Sequence, residues 1–118
     1  MSVRFEIIMD PGAAKEYQKL DNSVVSVVDN ALSRLEKRAD EIGTPLRNQS
    51  NSKLAGCREI KLRDIGIRIV FRVTNQVVYI LRVVYILAIE QRSDDFVFKL
   101  ASKRLYELNQ APLTAIMA

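Results

Sequence analysis

The sequence predicts an α+β domain: a small, mostly antiparallel sheet of about four strands, with two N-terminal helices and one C-terminal helix. Three observations predict it. Segments with apolar residues at every second position lie at 3–7 and 60–73, whereas 24–42 and 97–108 carry the 3.6-residue period of amphipathic helices. The two kinds of segment come in blocks instead of alternating strand by helix, the mark of helices set against an antiparallel sheet. Finally, 118 residues, 48% of them hydrophobic and 27% charged, suffice for one core and not for two.

In chain order, Val3, Phe5 and Ile7 alternate with Arg4 and Glu6 and predict a short first strand. Asp10-Pro11 supplies an N-cap and a first-turn proline for a helix running to about Leu20. Asp21, Asn22 and Ser23 offer a second cap, and Val24, Val28, Ala31, Leu32, Leu35, Ala39 and Ile42 form one helical face that Gly43 ends. The valines are poor helix formers, so packing has to hold that helix together. From Thr44 to Ala55 turn formers and polar residues follow without a period, which predicts the longest loop of the domain. Ile60 and Leu62, then Ile67, Ile69, Phe71 and Val73, predict a hairpin with its turn at Asp64-Ile65-Gly66. A second turn at Thr74-Asn75-Gln76 leads into the apolar run Val77 to Ile89. This run is broken by Arg82 and is shorter than the ~20 residues that a bilayer requires. It reads as a strand covered on both faces, with a bend or bulge near Arg82. Ser93, Asp94 and Asp95 cap a last helix whose face is Val97, Leu100, Ala101, Leu105 and Leu108. The domain is thus expected over residues 1–108. Residues 109–118 are left as a tail, disordered or packed through Leu113, Ile116 and Met117.

Composition excludes several chemistries. The chain has no histidine, which removes the usual general base, the triads that depend on it and the commonest zinc ligand. Gly12, Gly43, Gly56 and Gly66 form no phosphate-cradling loop, and no metal or cofactor is expected. Cys57 stands alone, and no charged-then-apolar leader opens the chain, so a reduced thiol, a cytoplasmic location and no membrane contact are expected. The net charge of +4 is unevenly spread: residues 1–52 sum to −1 and residues 53–118 to +5. A polyanionic partner would meet the second half.

Within that half, a turn at Asp64-Ile65 sets Lys61 opposite Arg68 and Leu62 opposite Ile67. Like charges facing each other across two strands are destabilising, and a broken local rule of that kind tends to mark a site. Arg63 and Arg72 should share the face, with Glu59 placed diagonally to pair with Arg68 or Arg72. Lys53, Arg58, Arg63 and Lys99 are candidates for holding phosphates.

KLAGCREIKLRDIGIRIVFRV, from Lys53 to Val73, and AIEQRSDDFVFKLASKRL, from Ala88 to Leu105, together resemble the RelE branch of the RelE/ParE toxin superfamily. The resemblance extends from Val3 to about Leu108 and is weakest before Gly43. It implies a toxin of a toxin–antitoxin pair that cuts messenger RNA on the ribosome, with mRNA, ribosome and a cognate antitoxin protein as partners. Position by position, it implies catalytic roles for Lys61, Arg68 and Arg92. Glu59 stands where the branch carries the first of two lysines, and Phe98 where it carries a tyrosine, so a ring is kept and a hydroxyl lost.

Metal-free RNA cleavage proceeds by attack of a 2′-hydroxyl on the adjacent phosphorus. Arg68 would be a fixed, bidentate donor to the phosphate oxygens. Lys61 could serve as the base only if its cationic neighbours brought its pKa down from ~10.4. Arg92 suits charge stabilisation on the leaving side better than proton donation. Phe98 could stack on a base or belong to the core. Two rivals share the fold: a ParE-like toxin that inhibits DNA gyrase without cutting RNA, and a catalytically degenerate module that only binds an antitoxin.

Overall fold

A computed structural model describes residues 4–48, 53–85 and 93–117. Its elements are β1 (Glu6–Met9), α1 (Pro11–Gln18), α2 (Asn22–Arg38), β2 (Thr44–Pro45), β3 (Cys57–Leu62), β4 (Ile67–Thr74), β5 (Val77–Tyr85) and α3 (Ser93–Met117). The five strands form one mixed sheet in the order β1-β5-β4-β3-β2, in which β1 runs parallel to β5 and all other pairs are antiparallel. The α+β class therefore stands, with one strand more than expected.

The additional strand is β2, two residues inside the segment that reads as a loop. Thr44 and Pro45 pair with Glu59 and Arg58, a bridge too short to leave a period in the sequence. Gly43 leads into it at φ 91°, and a Cβ there would lie 2.9 Å from the Glu59 carbonyl oxygen, so this position needs glycine twice over. Helix α2 stops at Arg38, a turn earlier than the apolar pattern suggests. Ile42 continues the period but packs on the core from outside the helix. At the other end of the chain α3 continues to Met117, where the sequence left a tail after Leu108. The first two caps fall where expected: Asp10 accepts from the Gly12 N–H at 2.8 Å, with Pro11 in the first turn, and Asp21 accepts from the Ser23 N–H at 2.9 Å, whereas Ser93, Asp94 and Asp95 lie inside the first turn of α3.

Both faces of the sheet are covered. Val28 and Leu35 of α2 pack with Phe5, Ile69, Phe71 and Ile80 on one face, while Val97, Ala101 and Leu105 of α3 pack with Leu54, Val70 and Leu81 on the other. Each fully buried side chain of this size contributes about 1.5–3 kcal/mol. Double coverage explains why β4 and β5 are apolar at consecutive positions. The expected bulge is present: Val70 pairs with Arg82 but Phe71 with Ile80, so Leu81 is the extra residue. Leu81 and Arg82 both face α3 as a result, and Val83 returns to the α2 side.

Beyond the bulge, β5 runs on after its neighbour β1 has ended at Met9, level with Ile80. Side chains take over the edge there. Glu16 of α1 accepts from the Val83 N–H at 3.1 Å, and Arg104 of α3 donates to the Leu81 carbonyl at 2.9 Å. The same Glu16 carboxylate binds Arg82 at 2.6 Å and Arg104 at 2.9 Å, and Arg104 also approaches Asp10 at 3.3 Å. A strand edge otherwise open to water or to another chain is thus closed by an ion-pair network. Gly12 makes room for it, because a Cβ at that position would collide with the Arg104 guanidinium.

Candidate functional site

The β3–β4 hairpin has the register that its turn predicts, Lys61 opposite Arg68 and Leu62 opposite Ile67. Leu62 and Ile67 join the core under α2, so the strand alternation sends Lys61 and Arg68 to the α3 face. Glu59, two residues before Lys61, points the same way. Its carboxylate lies between the two cations, with Oε1 at 3.5 Å from Lys61 Nζ and Oε2 at 3.3 Å from Arg68 Nε. Glu59 is 6% exposed and Arg68 3%, whereas the Lys61 side chain remains 37% exposed. Phe98, in the second turn of α3, sets its ring over the Arg68 guanidinium, 5.4 Å from the ring centroid, a cation–π contact. Phe98 is thus both a core residue of the α3 layer and the lid on Arg68.

The other candidates are more dispersed. Arg63 is exposed in the turn after β3 and lines, with Gly43, Thr44 and Lys61, a shallow groove of about 460 Å³. Lys53 and Lys99 are exposed near one another: the Lys53 N–H donates to Ser102 Oγ at 2.9 Å, and Ser102 lies one helical turn beyond Lys99. Arg58 is not brought to the cluster. Its one-residue offset from Glu59 turns it to the opposite sheet face, where its Nη1 donates to the Ile42 carbonyl at 3.3 Å. Arg72 shares the face of Lys61 but stands at its far end, opposite Cys57. Burial pushes the Cys57 thiol above its ordinary pKa, with the Arg72 charge and hydrogen bond pulling the other way. Arg92 lies outside the described residues.

Sequence reasoning missed the Asp10–Glu16–Arg82–Arg104 network, which fixes α3, and with it Phe98, against the sheet. Its single visible signal was a charged residue, Arg82, inside an apolar strand. Among the described residues no group of three or more His, Cys, Asp or Glu side chains converges as metal ligands. No helix among them is long and apolar enough to cross a membrane.

No protein-family model matches the chain. A putative RelE-like toxin protein of Escherichia coli is 29% identical over 106 residues, which span 87% of this chain and 99% of that protein. A mutant of the E. coli RelE toxin solved in the free state superposes with a TM-score of 0.64 at 25% identity, over 88% of this chain and 99% of its own. In sequence and fold the chain is similar to toxins of the RelE/ParE superfamily. A further RelE-like relative, in the RelBE2 toxin–antitoxin complex of Mycobacterium tuberculosis, matches at 26% identity and a TM-score of 0.57, over 72% of this chain and 94% of its own.

Proposed function

We propose that the chain is the toxin of a toxin–antitoxin pair and that it cuts messenger RNA on the ribosome by 2′-hydroxyl attack, with no metal ion in the reaction. The observation that carries this reading is the Lys61–Arg68 pair, two cations forced into register by the hairpin and roofed by an aromatic ring. Arg68 presents a planar fork of donors to the non-bridging oxygens and stabilises the charge that grows on phosphorus. Lys61, at the open side of the cluster, contacts the same phosphate. Phe98 exchanges Arg68 for a splayed base, since stacking requires only a π-face. Lys53, Arg63 and Lys99 hold flanking phosphates, and Arg92 supplies charge stabilisation on the leaving side.

The partners proposed are mRNA, the ribosome and an antitoxin, all in the cytoplasm. An antitoxin that covers the basic face, or lifts α3 with Phe98 and Lys99, would silence the site. The test is a translating extract given the purified, antitoxin-free protein, with message ends mapped by primer extension beside Arg68→Ala and Lys61→Ala controls. Cuts at defined codon positions that vanish in the controls are expected. Intact message with folded protein would refute the nuclease reading. A second reading, ParE-like inhibition of DNA gyrase, is favoured by one observation: Arg68 is 3% exposed beneath Phe98 and paired with Glu59. A supercoiling assay on the same preparation tests it.

A further inference from the structure

Glu59 occupies a position where the sheet calls for an apolar residue. Its strand neighbours on the same face are Cys57 and Lys61 and its cross-strand partner is Val70; Cys57 and Val70 belong to the apolar layer under α3. Burying a carboxylate there is unfavourable unless cations compensate it. The two that do so are also the two that repel each other across the hairpin. Each carboxylate oxygen takes one of them, Oε1 facing Lys61 and Oε2 facing Arg68. Two oxygens of one phosphate, each on one cation, would make the same arrangement.

The contacts of Glu59 are longer than the hydrogen bonds of the Glu16 carboxylate. Glu16 binds Arg82 at 2.6 Å and Arg104 at 2.9 Å in hydrogen-bond alignment. Glu59 stands at 3.5 and 3.3 Å from its cations, and its Oε2 is outside hydrogen-bond alignment with Arg68. Charge-assisted bonds close to about 2.7–2.9 Å when both partners are committed to each other. The Glu16 carboxylate is fastened by short bonds, whereas the Glu59 carboxylate faces its two cations at longer range.

We propose that Glu59 is an internal counter-anion that occupies, on Lys61 and Arg68, the positions a substrate phosphate takes, so that phosphate binding at this site is an exchange of anions. The proposal rests on the nuclease reading only for naming the phosphate as that of RNA. Its signature lies in salt dependence. A phosphate arriving on free cations releases its condensed counterion, but a phosphate that displaces Glu59 leaves a carboxylate that takes up a cation in return. The native site therefore binds more weakly, and with a shallower salt slope, than the same cations would without Glu59.

The experiment measures binding of a fluorescent single-stranded oligoribonucleotide, 2′-O-methylated throughout so that it cannot be cut, by anisotropy across a salt series. Native protein is compared with Glu59→Gln and Glu59→Asp, each checked for folding by its thermal melt. Glu59→Gln is expected to bind about tenfold tighter, the effect of one partly screened charge at contact range. The magnitude of its slope of log K against log salt should grow by about 0.7. Glu59→Asp keeps the charge but draws it back by one methylene, and should fall between the two. Equal or weaker binding by folded Glu59→Gln, or an unchanged slope, overturns the proposal. Should Glu59→Gln fail to fold, tighter binding by Glu59→Asp supports the proposal and unchanged binding overturns it. The two readings fail separately: tighter binding with intact message refutes the nuclease and keeps the exchange, while cut message with unchanged binding does the reverse.

Discussion

Replacing Arg104 with methionine keeps most of the aliphatic volume of the side chain and removes its charge and every donor it directs at the β5 edge. The structure sets the size of the effect. Arg104 holds Glu16 at 2.9 Å, Asp10 at 3.3 Å and the Leu81 carbonyl at 2.9 Å, with its own side chain 13% exposed and both acids 18% exposed. Breaking a fully buried pair by deleting one partner costs 3–5 kcal/mol, and residual water access places this case at the lower end, about 3 kcal/mol. For a domain of this size that corresponds to a fall in Tm of roughly 12 °C. Thermal unfolding followed by circular dichroism measures it, and a cycle with Glu16→Gln isolates the pairwise part, expected at about 1–2 kcal/mol. A loss below about 3 °C with no coupling would mean that water closes the strand edge equally well.

Gly12→Ala reverses a usual sign: alanine in a helix normally gains about 0.5–1 kcal/mol over glycine, but here its Cβ collides with Arg104. A loss of about 1–2 kcal/mol in urea unfolding is expected. Phe98→Leu keeps the α3 layer filled at a cost near 1 kcal/mol but removes the π-face, so primer extension should show message cutting about tenfold weaker. Cys57 is held neutral by burial. The unfolded chain releases its thiol proton from about pH 8.5, so stability falls as pH rises above that value. Cys57→Ala should remove this alkaline slope from a series of urea midpoints.

How far the sequence foretold this arrangement depended on the range over which each feature is determined. The hairpin register was legible because the turn and the two-residue period fix it within a dozen residues, and that placed Lys61 opposite Arg68. The bulge near Arg82 was legible from one charge in an apolar run. Thr44–Pro45 was not, since two paired residues carry no period. The end of α2 was overrun because Ile42 keeps the helical spacing while serving the core from a turn. Glu59 was expected beside Arg68 or Arg72 and lies beside Arg68; its approach to Lys61 as well is a matter of side-chain rotamers, which the strand period does not fix. The Glu16 network joins residues 66 and 88 positions apart, and local patterns hold no information at that range.

The pairing of β1 with β5 has a consequence for how the protein comes into being. The first strand has no sheet neighbour until residues 77–80 have been made, and the edge beside it stays open until Arg104 arrives. Contacts of this separation are slow to form because a long loop must close before any of them is satisfied. A chain emerging in order from its N-terminus therefore carries an unfinished sheet through most of its synthesis. The roof over Arg68 comes with the last helix, so the cluster of Lys61, Arg68 and Glu59 is among the last parts of the molecule to be assembled.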